Sequence, residues 1–244
     1  LLDFVELLAE HSGLPVGVKS AVGQLDLFDD LARLMADGRR GVDFITIDGG
    51  EGGTGAAPAE FSDHVGMPLR DGLRLVHNTL IGLGLRPRVK IGAAGKIISS
   101  FDLARTLAIG ADWCNSARGF MFAVGCLQSL HCHTDACPTG VATQDPLRQK
   151  ALVVADKSLR VKSFHAQTVA SLAELVGAAG LEHPSQLRPT HIMMRDANGR
   201  GISFARSLDK IAKGALRSES FDPESFPEPF RSYWAEASAE RFTA

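Results

Sequence analysis

A β-strand pattern followed by a helical pattern occurs four times in succession in the first half of the chain. The strand patterns are Pro15–Ser20, Phe44–Asp48, Arg88–Gly92 and Trp113–Ala117. The helical patterns that follow them are Leu25–Ala36, Arg70–Leu83, Ser100–Ile109 and a shorter one from about Met121. Nearly continuous apolar strands that alternate with helices are typical of parallel βα units. The pattern therefore predicts an α/β fold built on a parallel sheet.

A doubly wound sheet and a closed barrel both give this alternation, and the strand ends favour the barrel. Lys19, Asp48, Gly92 and Arg118 follow or end the four strands, and barrel active sites are built at the C-terminal ends of strands. A complete barrel of eight units needs roughly 250 residues, whereas four units are complete here by Gly125. The predicted fold is the C-terminal half of a (β/α)8 TIM-type barrel with four βα units.

The chain after the four units is predicted to continue as a cysteine-rich loop and then as helices. Residues 1–145 are assigned to the half-barrel, with the cysteine loop at 126–138. Residues 146–215 are assigned to a helical extension of the same domain, whose main helix runs from Lys162 to Ala179 and ends at Gly180. Residues 216–244 are expected to form a tail that is irregular or docked elsewhere.

Composition excludes several classes of function. Of the 244 residues, 45% are hydrophobic, and the formal net charge is −2. A near-neutral chain lacks the clustered Lys and Arg that bind nucleic acid, and it has no apolar run near the ~20 residues that span a membrane. The first residues also lack a secretory signal. The expectation is a cytoplasmic enzyme with no nucleic-acid or membrane partner.

The most specific motif contains three cysteines, Cys126, Cys132 and Cys137, the last followed by a proline. Thiolates are ligands for iron–sulfur clusters and for zinc. The spacing resembles a ferredoxin-type loop more than a paired zinc knuckle, although its gaps are wider than in either. Zinc bound by these thiols with His131 or His133 is the minor alternative, and three unrelated buried thiols are another.

Two neighbouring strand ends carry small residues that predict a phosphate cradle. Small residues let backbone N–H groups approach an anion, and a following helix N-terminus adds partial positive charge. The last two units of a barrel are also where a phosphate commonly binds. The residues assigned to this cradle are Gly92, Ala93, Ala94, Gly95, Lys96, Ala117, Arg118 and Gly119. Tight turns that simply require glycine are the alternative interpretation.

The segment after the second strand is rich in glycine, and a lysine ends the first strand. So many glycines are entropically costly, which indicates unusual backbone conformations or a close approach to a ligand. Asp48, Gly49, Gly52 and Gly53 are assigned to the cofactor site on this ground. Lys19 ends an apolar strand and must be paired or directed into a site, because burial of an unpaired charge is costly.

Taken in order, these motifs resemble the FMN-binding domain of glutamate synthases. The matching segments are Val16–Lys19, the Gly-Gly-Thr-Gly-Ala loop at 52–56, Gly92–Gly95 and the cysteine segment from Gly125 to Gln144. The likeness is greatest to the stand-alone FMN-binding glutamate synthase family, which lacks a glutamine amidotransferase domain. It covers about residues 10–195.

The resemblance implies an oxidoreductase that uses FMN to reduce 2-iminoglutarate, formed from 2-oxoglutarate and ammonia, to L-glutamate. It implies that Lys19 is the active-site lysine, which also contacts the cofactor, and that Cys126, Cys132 and Cys137 hold a 3Fe-4S cluster. A separate electron-donor protein is a possible partner. The alternatives are another FMN-dependent barrel oxidoreductase with a different substrate, and an inactive half-barrel.

The sequence departs from the family at two places. The first four βα units are absent, and the family's catalytic glutamate lies among them, so the N-terminal half of the barrel is an expected partner. Gly50-Glu51-Gly52 stands where long members often carry a His-Asp pair, which bears on the amino acceptor. Because strand edges are left unpaired at Val16–Lys19 and Trp113–Ala117, we also expect the chain to self-associate into a homo-oligomer.

Overall fold

The computed structural model contains one parallel sheet of four strands. It describes residues 1–23, 27–52, 57, 60–62, 64–217, 222–228, 230–234 and 237. The strands are β1 (Gly17–Ala21), β2 (Phe44–Asp48), β3 (Lys90–Ala94) and β4 (Trp113–Asn115). They lie in the order β1-β2-β3-β4, and every neighbouring pair is parallel.

This strand order confirms the half-barrel prediction. A doubly wound sheet reverses its strand order at a switch point, whereas here each strand lies beside the next one in the chain across the whole sheet. Helices α2 (Leu27–Met35), α3 (Leu69–Gly82) and α4 (Ser100–Ile109) connect the strands, and α5 (Arg118–Val124) follows β4. The four βα units are therefore present in the predicted order.

The predicted bounds match the structure closely at β2 and α4 and shift elsewhere. Strand β3 was predicted from Arg88 and begins two residues later, at Lys90. The reason is a turn before the strand, in which the backbone N–H groups of Arg88 and Val89 donate to the Leu85 carbonyl. The shift brings Ala93 and Ala94 inside the strand. Helix α5 also begins three residues earlier than predicted.

The main hydrophobic core lies between the sheet and helices α2 to α4. The strands and helices contribute branched apolar side chains that are almost fully buried on both faces, as a parallel sheet requires. Examples of these core residues are Ile45, Ile47, Leu73, Val76, Leu80, Val89 and Ile91. A capping box at the start of α4, between Ser99 and Asp102, fixes the entry of that helix. The core thus holds the carboxyl ends of β1 to β4 at one edge.

Two elements were not predicted from the sequence. Helix α1 (Leu2–Ser12) precedes the first strand, and a short antiparallel hairpin of β5 (Met193–Arg195) and β6 (Gly201–Ser203) interrupts the extension that was expected to be helical. Helix α6 (Pro146–Gln149) is a single turn, and α7 (Val154–Ala178) begins eight residues before the predicted start. Gly180 has the left-handed φ of 72° expected of a helix terminator.

Helix α7 carries an apolar stripe, with Phe164, Val169, Leu175 and Val176 among its side chains, that is only partly buried. Among the residues of this helix Val176 is buried, while Val169 and Leu175 remain exposed. Phe164 makes an edge-to-face contact with Phe120 of α5. Helix α7 packs on α4 and α5 along one side only, so the stripe is wider than the surface that covers it.

The described part of the tail packs against helix α2 and the hydrophobic core. Helix α8 (Phe230–Tyr233) places Phe230 and the following Trp234 in the core. The Arg33 guanidinium of α2 stacks 4.1 Å from the Trp234 ring centroid and donates to the Trp234 carbonyl at 2.6 Å. Within the described residues, no helix is long and apolar enough to cross a membrane.

Candidate functional site

A cavity of about 380 Å³ lies at the carboxyl ends of the four strands. It brings together residues that were assigned to the cofactor site on four separate segments of the sequence. The predicted residues that line it are Lys19, Asp48, Gly52, Ala94, Gly95, Lys96, Ala117 and Arg118, together with Cys126 and Cys132. Parallel strands end at the same edge of a sheet, which is why residues so distant in sequence converge. We call this space the strand-end cavity.

Lys19 forms an ion pair with Asp48 at the entrance of the strand-end cavity. The Lys19 ammonium donates to Asp48 Oδ2, and the two side chains remain 56% and 33% exposed. Lys19 lies on β1 beside Thr46 of β2, and Asp48 ends β2. The pairing meets the requirement that a charge at the end of an apolar strand have a partner. It also leaves the ammonium accessible to a ligand in the cavity.

The turn after β3 has a backbone that only glycine adopts readily. Gly95 has a φ of 148°, and Lys96 follows with a φ of 43°. A β-carbon at Gly95 would lie 3.3 Å from the Gly49 backbone and 3.2 Å from Leu69 Cβ. A Gly49 N–H group donating to the Ala94 carbonyl at 2.7 Å ties the two strand ends together. The turn therefore needs glycine both for its φ and because a β-carbon would crowd Gly49 and Leu69, and Gly95 lines the cavity with its backbone.

The end of β4 completes the cationic side of the strand-end cavity. Ser116 donates its hydroxyl to the Ile97 carbonyl at 2.7 Å, which fixes the chain before α5 begins at Arg118. Arg118 and Lys96 both line the cavity, and Lys19 lies across from them on the first strand. Three cationic side chains and small-residue backbone are a suitable environment for an anion such as a phosphate.

Four of the residues assigned to the cofactor do not line the cavity. A β-carbon at Gly92 would lie 2.5 Å from the Trp113 ring, and one at Gly119 would lie 2.6 Å from Phe164. Gly49 is crowded in the same way by Leu69, and Ala93 is fully buried in β3. Packing therefore explains why these positions are small. Gly53, which was also assigned to the site, lies outside the described residues.

Glu51 is a cavity residue that sequence reasoning did not assign. The N–H of Leu69, the first residue of α3, donates to both carboxylate oxygens of Glu51, at 2.9 Å to Oε2 and at 3.1 Å to Oε1. Glu51 thereby joins the glycine-rich segment to the helix that packs beneath it, and it also lines the strand-end cavity. The contact spans 18 residues, so no local capping pattern could have indicated it.

Two of the three motif cysteines face the strand-end cavity, and the third is buried beside it. Cys126 and Cys132 line the cavity, whereas Cys137 is buried. Burial alone raises the pKa of the Cys137 thiol. Hydrogen bonds from the Thr139 hydroxyl and from nearby backbone N–H groups outweigh burial and lower this pKa to about 7. Cys137 is thus prepared to act as a thiolate.

The described residues contain no group of three His, Cys, Asp or Glu side chains close enough to hold a metal ion. The donor chemistry of the cysteine loop suits a thiolate-bound cluster held by Cys126, Cys132 and Cys137. The zinc alternative, in which His131 or His133 joins the thiols, is not assembled. Cys114 differs from the motif cysteines, because burial raises its pKa to about 12. It packs against the core.

The cysteine loop has an unusual backbone. Gln128, Leu130 and Asp135 all have left-handed φ values, between 55° and 61°, although none is glycine. Such conformations cost energy and persist only where surrounding contacts determine them. Asp135 makes the main contacts, because its side chain accepts the Gln144 N–H at 2.6 Å and the Thr143 hydroxyl at 3.0 Å. Local polar bonds therefore hold this loop.

Comparison with known families gives a match over most of the chain. Residues 1–182 match the family described as a conserved region in glutamate synthase. The glutamate synthase large subunit-like protein YerD of Bacillus subtilis is 43% identical over 84% of this chain. The archaeal glutamate synthase [NADPH] of Methanocaldococcus jannaschii is 37% identical over 79% of this chain. The chain spans only 39% and 34% of the lengths of these two relatives.

Among solved structures, a double mutant of flavocytochrome b2 with pyruvate bound aligns with 93% of this chain and 45% of its own. The TM-score is 0.49 and the sequence identity is 13%. A likeness of this size supports no conclusion about fold or function. The family match covers α1, the four βα units and the cysteine loop, which are the elements that form the strand-end cavity.

Proposed function

Because the chain belongs to the glutamate synthase family, we propose that it forms the FMN-phosphate side of an FMN-dependent oxidoreductase. The proposed reaction of the complete protein is reduction of 2-iminoglutarate, formed from 2-oxoglutarate and ammonia, to L-glutamate. The observation that carries the proposal is the convergence of Lys19, Lys96 and Arg118 around one cavity at the strand ends. This is the edge at which barrel enzymes bind their ligands.

The proposed phosphate site consists of the turn after β3 and the start of α5. Gly95 offers backbone without a β-carbon, and Lys96 and Arg118 supply positive charge. FMN, when bound, supplies hydride chemistry, for which the protein provides position and electrostatics. A dinucleotide cofactor is not favoured, because the sequence has no dinucleotide fingerprint at these turns.

Lys19 is the residue proposed to act on the substrate. Its ammonium would bind a carboxylate of the substrate in exchange for its present partner, Asp48. Asp48 would then keep the ammonium in place when the substrate is absent. Glu51 would hold the glycine-rich segment over the cavity through its contact with Leu69. These roles need no movement of the sheet.

The cysteine loop is proposed to bind a 3Fe-4S cluster through Cys126, Cys132 and Cys137 in the complete protein. Two of these thiols already face the strand-end cavity, and the third is a prepared thiolate. In their described positions the three thiols form no group that would hold a single metal ion. Passage of electrons through the cluster stays a prediction from the family resemblance.

The complete protein provides a direct test of the cofactor and the reaction. We expect its anaerobic absorption spectrum to contain flavin bands, and we expect it to form glutamate from 2-oxoglutarate and ammonia with a reductant. Lys19→Met should keep the flavin spectrum and lose most of the turnover. Flavin without glutamate formation would favour the second candidate, an FMN-dependent oxidoreductase with another substrate. The Glu51 carboxylate in the cavity is the observation that favours this candidate. A protein without flavin would contradict both.

Iron analysis tests the metal ligands separately. Cys132→Ser should abolish iron binding, because a serine hydroxyl is a poor substitute for a thiolate ligand. Cys114→Ser is the matched control and should keep the iron, since burial keeps that thiol protonated. The assignment fails if both variants keep iron or if Cys114→Ser alone loses it.

The proposed partners are the other half of the barrel and an electron-donor protein, and the proposed location is the cytoplasm. β1 and β4 lie at the two edges of the described sheet, where a complete barrel would continue. On its own, this chain should associate through these edges. Sedimentation of the isolated chain would show oligomers, whereas a stable monomer at high concentration would indicate a self-sufficient smaller fold.

A further inference from the structure

A second and larger cavity lies at the opposite end of the strands from the proposed flavin site. Its volume is about 710 Å³, which is within the range of small-molecule sites. Helix α3 forms one wall, the end of α4 and the residues before β4 form the floor, and residues 185–211 of the extension form the other wall. We call it the outer cavity. It shares no lining residue with the strand-end cavity.

The floor of the outer cavity is a fixed network around Arg86. Its guanidinium donates from Nε to His77 Nδ1 at 3.2 Å and from Nη2 to the Gly110 carbonyl and Asp112 Oδ2, both at 2.8 Å. Because arginine can only donate, His77 Nδ1 must accept, and its Nε2 carries the proton. Burial and the Arg86 charge lower the pKa of His77 to about 4. The floor therefore contains a neutral imidazole, and the Arg86 charge is paired with Asp112.

The rim of the outer cavity carries positive charge that no carboxylate of the described residues neutralises. Four cationic side chains and two carboxylates line the cavity. The carboxylates pair with two of the cations, Asp209 with Arg74 at 3.3 Å and Asp112 with Arg86 at 2.8 Å. The other two cations, Arg188 and Lys210, have no carboxylate partner among the described residues. Both are exposed at the mouth of the cavity.

The wall between the floor and the rim is mainly apolar. The apolar lining comes from α3, α4 and the extension: Ile81, Leu107, Ala108, Ile109, Leu187 and Ile211. Such a wall does not suit a sugar or a metal ion, which need many polar groups. It suits a ligand whose body is apolar and whose charged group stays at the mouth.

We propose that the outer cavity binds a small organic anion, with its apolar body on the α3 and α4 wall and its acidic group between Arg188 and Lys210. This site is separate from the proposed glutamate synthase reaction and does not depend on it. The ligand class follows from the apolar wall and from two cations that have no carboxylate partner among the described residues. Arg188 Nη1 donates to the carbonyls of Ser185 and Leu187, both at 2.8 Å, and these neutral contacts leave its charge available. Carboxylates, sulfonates and phosphate esters share the chemistry that the rim would recognise.

A pair of fluorescent probes tests the proposal on the intact protein. The first probe is 8-anilino-1-naphthalenesulfonate, which has an apolar body and one anionic group. The second is N-phenyl-1-naphthylamine, which has a similar body and no charge. We expect the anionic probe to bind more tightly at low salt, and we expect added salt to reduce this preference because it screens exposed charges.

Four variants assign the binding to the outer cavity. Arg188→Glu and Lys210→Glu should each weaken the anionic probe by about threefold or more and leave the neutral probe unchanged. Arg206→Glu reverses an exposed charge on the same segment that does not line the cavity, so it should change neither. Ala205→Trp should obstruct the cavity and weaken both probes.

Two results would overturn the proposal. One is an anionic probe that binds equally to the Arg188→Glu, Lys210→Glu and Arg206→Glu proteins, because binding would then be independent of the rim. The other is equal binding of the charged and uncharged probes at low salt. Circular dichroism of each variant confirms that the fold is kept, and the exposed positions of Arg188 and Lys210 make that the expected result.

Discussion

The strand-end turns and the cysteine loop meet at one cavity but are held in place by different forces. The turns after β2 and β3 continue from strands whose central residues are buried, and the partly buried β4 lies beside them. The cysteine loop has no such support, because Leu127 and Leu130 are exposed and its shape depends on short polar contacts such as those of Asp135. The first region is fixed by the core and the second by local bonds.

This difference matches what each region must do in the proposed enzyme. A phosphate site works best when it is rigid before the ligand arrives, because little ordering cost then accompanies binding. A cluster site is built by the metal itself, since ligand binding and folding of the loop are coupled. A loop that is fixed by local polar bonds, and not by the core, suits a cluster site of this kind.

Truncation of a leucine-sized side chain should lower the free energy of unfolding much more in the strand than in the cysteine loop. Ile91 in β3 is 0% exposed, and Leu127 in the loop is 73% exposed. We expect Ile91→Ala to lower the free energy of unfolding by about 2–5 kcal/mol and Leu127→Ala to change it by less than about 0.5 kcal/mol. Urea denaturation followed by circular dichroism measures both. Equal losses would mean that the loop is part of the core.

The sheet was predictable from sequence because its signal is repeated and local. Each unit carries an apolar strand next to an amphipathic helix, and β2 and α4 were placed correctly at both ends. The predicted β3 bounds were two residues too early. The turn at Leu85–Val89 is held by backbone hydrogen bonds, and the pattern of apolar side chains gives no sign of these bonds. Helix α1 and the β5–β6 hairpin were missed because each is short and carries a weak pattern.

The part of the candidate site that lies at the strand ends could be predicted from sequence. The part that depends on tertiary contacts could not. Convergence of Lys19, Lys96 and Arg118 follows from a parallel sheet alone. Gly92 and Gly119, by contrast, looked like ligand-binding glycines, while the structure explains their size by contact with Trp113 and Phe164. Sequence cannot separate the two reasons for glycine, because a missing side chain leaves no trace of what occupies its space.

A negative charge on the turn after β3 should abolish flavin binding. Gly95→Asp would place a carboxylate beside the proposed phosphate and would crowd Gly49 and Leu69. We expect FMN affinity to fall by at least about a hundredfold, since like charges at contact distance cost several kcal/mol. Fluorescence titration of the deflavinated intact protein with FMN measures the loss.

Gly199→Asp is the matched control for that variant. Gly199 also has a left-handed φ, of 76°, but it lies in the β5–β6 turn, and a β-carbon there would meet nothing within 4 Å. Gly199→Asp therefore adds the same carboxylate at a positive-φ glycine that lies away from the strand-end cavity, and FMN affinity should be unchanged. If Gly95→Asp keeps the wild-type affinity for FMN, the phosphate does not lie at this turn. The turn after β3 would then not be the rigid phosphate site proposed above.

The smallest expected effect concerns the backbone of the loop itself. Leu130 has a φ of 59°, a conformation that costs a non-glycine residue roughly 1–2 kcal/mol. Leu130→Gly removes this strain but adds about 0.5–1 kcal/mol of chain entropy to the unfolded loop. The net change should be a stabilisation of no more than about 1.5 kcal/mol, which raises amide protection in the loop by up to about tenfold in hydrogen exchange. Gly95→Ala, the reverse change in the rigid region, should instead destabilise its turn. If Leu130→Gly lowers protection, then contacts of the Leu130 side chain, and not local polar bonds, determine the shape of the cysteine loop.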